Sequence, residues 1–79
     1  MKKQRPADPK LQKVLQSISS NLERFRKERG WTQAQITEKL ETDLRWYQRL
    51  ESGKHVFSLQ TLIRLAAVLK VELTDLMRK

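Results

Sequence analysis

The stretch Thr32-Gln-Ala-Gln-Ile-Thr-Glu-Lys-Leu40, Glu41-Thr42-Asp43, Leu44-Arg-Trp-Tyr-Gln-Arg-Leu-Glu-Ser-Gly53 decides how this chain is read. Thr32 followed by Gln35 matches a capping box, in which hydroxyl and amide satisfy the free N–H groups of a helix start. Ile36 and Leu40 then face inward, which predicts a helix over 32–40. Asp43 is placed to cap a second helix through its carboxylate, with Tyr47 and Leu50 on the inner face and Gly53 closing it. Two short helices thus flank a tight turn, and the second carries arginines on one face.

Outward from this stretch helical signals continue. Leu11, Val14, Leu15, Ile18, Leu22 and Phe25 recur at spacings of three and four, which predicts one long helix, or two abutting ones, to about Arg29. Gly30 is its C-terminal cap. Ser58 caps a fourth helix, whose Leu59, Leu62, Ile63, Leu65, Ala66 and Leu69 make it the most apolar in the chain and the expected base for the others. A short fifth helix is expected around Leu73 to Met77. No segment alternates for long enough to suggest a sheet, so the fold class is all-α.

A chain of 79 residues supports one domain and one modest core. Its net charge of +8 favours a polyanionic partner, either nucleic acid or an anionic membrane surface. No apolar run approaches the roughly 18 residues needed to span a bilayer, and Met1-Lys-Lys-Gln-Arg-Pro6 lacks the apolar stretch of a secretory leader, so a cytoplasmic, nucleoid-associated protein is expected. With no cysteine and one histidine, His55, there is no disulfide framework, thiol nucleophile or zinc cluster. Asp, Glu and His55 form no recognisable acid, base or metal constellation, so neither an enzyme, a metal nor a cofactor is expected. The charge is uneven: residues 1–30 carry nine basic and three acidic groups, residues 31–79 eight and six. Met1 to Pro9, with two prolines and no apolar periodicity, reads as an arm, and composition alone favours a solvated tail over one that tracks phosphates.

Two helices joined so closely are the signature of a helix-turn-helix, whose second helix enters the major groove of DNA. On that helix Leu44, Arg45, Gln48 and Arg49 fall at spacings of one and four and share an outer face. Arginine can bond guanine O6 and N7 together, glutamine can do the same for adenine, and Leu44 can rest on a thymine methyl. Composition alone favours an ordinary solvated face; the turn and the caps reverse that preference. Gln33, just inside the start of the preceding helix, can offer a phosphate its amide and nearby free backbone N–H groups.

At these residues the sequence resembles the XRE-type, or phage Cro and repressor-type, helix-turn-helix domain. The resemblance covers about Ile18 to Met77. It rests on Arg26-Lys-Glu-Arg-Gly30, Trp31-Thr-Gln33, Glu38-Lys-Leu40, Arg49-Leu-Glu-Ser-Gly-Lys54, Ser58-Leu-Gln-Thr-Leu62 and Arg64-Leu-Ala66. It implies a compact five-helix, lambda-repressor-like domain at 17–79 behind a basic arm and helical extension at 1–16, with Gln33 on phosphate and Leu44, Arg45 and Arg49 facing base edges. It also implies an internal ion pair between Arg26 and Glu51. The chain departs from the family at Thr37, Glu41, Thr42 and Lys70, two of them often glycine, so a less regular turn is expected. Tyr47 replaces an aliphatic core residue and needs a partner for its hydroxyl. Trp46 is expected first to pack and second to reach DNA. Val56 and Phe57 make their loop unusually apolar, either as a self-association surface or, for Phe57, as core. Lys54 and His55 follow the recognition helix; Lys54 is a phosphate candidate, whereas His55 reads as an ordinary loop residue.

The expected function is a sequence-specific double-stranded DNA-binding transcriptional regulator. Its recognition helix would be 44–52, and the DNA-binding residues Gln33, Leu44, Arg45, Trp46, Gln48, Arg49 and Lys54. It would act as a homodimer on a palindromic operator, in the manner of restriction-modification controllers, small phage regulators or antitoxins, with a protein partner as a further option. Two alternatives stand beside it: an interaction adaptor that keeps the fold without reading bases, and a charge-driven nucleic-acid binder.

Overall fold

The computed structural model describes residues 8–79. These fold into α1 (Pro9–Glu28), α2 (Gln33–Leu40), α3 (Leu44–Leu50), α4 (Leu59–Leu69) and α5 (Leu73–Met77), with no strand among the described residues. The fold is all-α, as the periodicity predicts. None of these helices is long and apolar enough to cross a membrane.

Side chains start most of these helices. The Asp8 carboxylate accepts from the Lys10 N–H at 2.8 Å, and Pro9 supplies the preset φ that suits a first helical position. Thr32 and Gln35 form the expected capping box, Asp43 accepts from the Trp46 N–H at 2.7 Å, and Ser58 accepts from the Thr61 N–H at 3.0 Å. Asp8 and Pro9 therefore open α1; the rest of the expected arm lies outside the described residues. α1 is a single helix, and the boundary expected between residues 16 and 17 falls inside it, where Leu15 is buried and Gln12 donates to the Gly53 carbonyl at 3.4 Å.

Three helices end alike. After α1, α2 and α4 one residue turns left-handed, and the following N–H reaches back to the final turn: Trp31 to Arg26 O, Thr42 to Thr37 O and Val71 to Ala66 O. Gly30 does this at φ 73°, but Glu41 and Lys70 do it at 57° and 59° with a Cβ. The expectation of a less regular turn is thus corrected: the turn between α2 and α3 is regular, and Glu41 carries the steric cost of its conformation. The backbone bonds outweigh that cost, which is about 1–2 kcal/mol for a non-glycine residue. Glu41→Gly, after the extra chain entropy of glycine, should raise stability by about 0.5–1 kcal/mol. A higher urea midpoint at unchanged slope is the check.

The core joins Leu15, Ile18 and Leu22 of α1, Ile36 and Leu40 of α2, Tyr47 and Leu50 of α3, Phe57, four residues of α4 and Leu76. Four of the apolar positions read from periodicity lie elsewhere. Leu11 and Val14 are 39% exposed, and Leu59 and Ile63 are 63% and 53% exposed. A helix on the surface of so small a domain buries one stripe, and six apolar residues at mixed three and four spacings span more than that stripe. α4 nevertheless serves as the base through Leu62, Leu65, Ala66 and Leu69.

Polar side chains tie the helix ends together across the core. Arg29 donates to the Leu69 carbonyl at 3.0 Å, Arg64 to the Leu40 carbonyl, and Asn21 to the Leu76 carbonyl at 2.9 Å. Ser19 donates to Leu50 O at 2.7 Å, fixing the end of α3 against α1.

Candidate nucleic-acid interface

The inner side of α3 sets what its outer side presents. Tyr47 and Leu50 are fully buried, so Leu44, Arg45, Gln48 and Arg49 are turned outward and exposed, the grouping that their spacing predicts. Trp46 is half-buried and packs against the core, in line with the first of its two expected roles. Lys54 is exposed, and His55 meets Phe57 edge-on with ring centroids 5.9 Å apart. Phe57 is core, whereas Val56 is 62% exposed.

The recognition helix is shorter than the expected 44–52. It stops at Leu50, with Glu51 as its cap. The Ser52 hydroxyl donates to the Arg49 carbonyl at 2.7 Å, and Gly53 turns left-handed at φ 84°, so the chain leaves the helix before 52.

Beneath α3 lies a polar cluster. Arg26 Nε donates to Glu51 at 2.7 Å, its Nη2 to the other carboxylate oxygen at 3.2 Å, and its Nη1 to the Trp31 carbonyl at 2.8 Å. The two side chains are 8% and 6% exposed, a nearly buried bidentate pair. Tyr47 donates its hydroxyl to Glu51, which supplies the partner that a buried phenol needs. Gln33 donates Nε2 to Glu51 Oε1 at 3.0 Å, and Gln48 donates Nε2 to Gln33 Oε1 at 3.2 Å.

The cluster's electrostatics are self-consistent. Burial alone would push the Glu51 carboxyl up, but hydrogen bonds from Arg26, Tyr47 and Gln33 outweigh it and hold the group below its ordinary range. The bond to Glu51 raises Arg26 further, and burial, followed by that same carboxylate, pushes the Tyr47 phenol far up. Near neutral pH the cluster therefore holds one cation, one anion and a neutral phenol.

The surface above it is cationic. Among the described residues neither Arg45 nor Arg49 has a carboxylate within ion-pair distance. The N–H groups of Gln33 and Ala34, in the first turn of α2, have no acceptor within their helix. The structure brings Gln33 and Gln48 into contact, a pairing that sequence reading missed; fifteen residues separate them and no local signal marks the pair. The Tyr47–Glu51 bond, four residues apart on one helix, was legible in principle.

Two successive helices, a tight turn and an outward second helix held by a buried ion pair define a helix-turn-helix module, the architecture that places a helix in the major groove. A family profile described as "Helix-turn-helix domain" matches residues 18–78, and the chain belongs to that family. Its fold is also similar to the crystal structure of a hypothetical transcription factor, NHTF, from Neisseria, with a TM-score of 0.79 and 24% identity over 98% of this chain and 90% of that one. No curated protein matches the chain in sequence.

Proposed function

We propose that the protein is a sequence-specific double-stranded DNA-binding transcriptional regulator that reads its site through α3. The observation that carries this is the outward set of Arg45, Gln48 and Arg49, whose two arginines have no ion-pair partner among the described residues, on a helix held from behind by a buried ion pair. Leu44 offers a methyl contact beside them, and Gln33 with the first-turn amides of α2, Lys54 and the edge of Trp46 supplies backbone contacts. The net charge of +8 supports steering toward DNA. The test is selection from a random duplex library, followed by binding of the winner and a scrambled control across a salt series. A two-fold symmetric motif whose preference survives near 0.15 M salt, roughly the physiological ionic strength, is the expected result. Motif-free binding that vanishes with salt would leave a charge-driven binder, and no binding an adaptor.

The reading includes a homodimer on a two-fold operator with half-sites about 34–36 Å apart. Leu59 and Ile63, one turn apart on α4, and Val56 in the preceding loop are uncharged, exposed apolar residues in a chain one-third charged, and they support self-association there. Ile63→Glu places like charges on both copies of a symmetric contact. It should weaken dimerisation by about tenfold or more, the equivalent of about 1.4 kcal/mol, as read by sedimentation equilibrium. An unchanged dissociation constant would remove α4 from the interface.

A further inference from the structure

Positive charge also gathers on a side of α1 turned away from α3. Gln12, Ser19 and Arg26, seven residues apart along α1, meet Gly53, Leu50 and Glu51 at the end of α3. Lys13, Ser17 and Ser20 form a second row, about 100–160° round the helix from Ser19. With Asn21, Arg78 and Lys79 they line a groove of about 350 Å³, within the usual range for small-ligand sites. Lys13, Ser17 and Lys79 fall outside residues 18–78, the part matched by the family profile.

The wall of this groove is built, not frayed. Asn21 is 8% exposed, and its Nδ2 donates to the Leu76 carbonyl at 2.9 Å and to the Arg78 carbonyl at 2.5 Å. Its Oδ1 accepts from Arg24 at 3.2 Å. Asparagine disfavours a helix interior, and here its amide ties the chain beyond α5 to α1. That tie brings Arg78 and Lys79 beside Lys13. No carboxylate, aromatic or aliphatic side chain lines the groove. Asp75 approaches from outside, with Oδ1 3.5 Å from Arg78 Nη2.

We infer that this groove is a binding site for a compact polyphosphate group, either free or as the phosphate chain of a nucleotide. Three cations complement three or more negative charges, the guanidinium of Arg78 suits phosphate oxygens, and the hydroxyls of Ser17 and Ser20 add neutral donors. An exposed cation holds a single anion weakly, so the site depends on three of them acting on one multiply charged group. The lining offers no ring to stack on a base and no apolar anchor for a partner helix. A ligand here leaves the outer face of α3 unobstructed, so the site is independent of base reading.

Titration of the full chain with tripolyphosphate at constant ionic strength, followed by backbone amide chemical shifts, tests this. Saturating shifts confined to residues 13–21 and 76–79 are expected. Lys13→Ala and Arg78→Ala, both at exposed positions and with helicity checked by circular dichroism, should each raise the dissociation constant about three- to tenfold. Lys39→Ala, which removes the same charge from α2, should leave it unchanged. ATP in place of tripolyphosphate distinguishes the sources: tighter binding of ATP assigns the site to a nucleotide, equal or weaker binding to a free polyphosphate. Shifts that never saturate and extend equally to Arg45, Arg49 and Lys54 would reduce the groove to ordinary counter-ion attraction and overturn the inference, as would unchanged affinity in both groove variants. Duplex DNA that displaces tripolyphosphate competitively would make the groove part of the nucleic-acid surface and overturn it too.

Discussion

Glu51→Ala is expected to lower the unfolding free energy by about 3–5 kcal/mol, the range for removing one partner of a buried ion pair. Arg26, with its side chain 8% exposed, would be left charged without a counter-ion, the fully buried Tyr47 hydroxyl would lose its acceptor, and Gln33 would lose the group that orients it. A domain of this size has total stability of the same order, so the variant should be largely unfolded near 37 °C by circular dichroism. Replacing both charges, Arg26→Met with Glu51→Leu, should recover much of the loss, because an apolar pair of similar volume leaves no buried charge. A double-mutant cycle then isolates the pair. The pH dependence follows from the lowered Glu51 pKa. Its stabilising contribution is complete above the unfolded-state value, about 4.3, and is lost as pH falls through the lower folded value. Glu51→Gln should accordingly flatten the acid limb of stability against pH. An acid limb as steep as that of the wild type would mean that other carboxylates control acid unfolding.

Arg49→Ala is expected to weaken binding to the selected site by about 1–3 kcal/mol while leaving random duplex little changed, and to relax preference at one or two base positions. The separation follows from its setting. The guanidinium is exposed on the outer face of α3 and has no ion-pair partner among the described residues, so its removal leaves the core and the Arg26–Glu51 pair untouched. A purely electrostatic role would lower specific and random binding equally and reduce the salt slope by about one phosphate equivalent. Fluorescence anisotropy on both duplexes at two salt concentrations distinguishes these outcomes.

Glu51 and Arg49 lie two residues apart and differ in how legible they were. The outward grouping of Leu44, Arg45, Gln48 and Arg49 is visible in the sequence because a helix of known phase, capped by Asp43 and buried through Tyr47 and Leu50, leaves those four no other side. The Arg26–Glu51 pair came only through the family resemblance, since nothing local relates residues 25 apart. Leu59 and Ile63 show the opposite failure: helical spacing marks a residue as apolar and helical, but only the packing of α4 on its neighbours decides which apolar residues are covered. Glu41 shows a third kind, in which the backbone hydrogen bonds that close α2 override a residue's own aversion to left-handed φ.

What the sequence by itself determined are the helices, their caps and the polarity of each face, because these depend on neighbours one to four residues away, within reach of a single turn of chain. Only the tertiary structure decided the burial of Arg26 and Glu51, the exposure of Leu59 and Ile63, and the line of amides from Glu51 through Gln33 to Gln48. Each of these depends on groups brought together by the packing of α1, α2 and α3 or α4, and a hydrogen bond between side chains fifteen or more residues apart has no local signature.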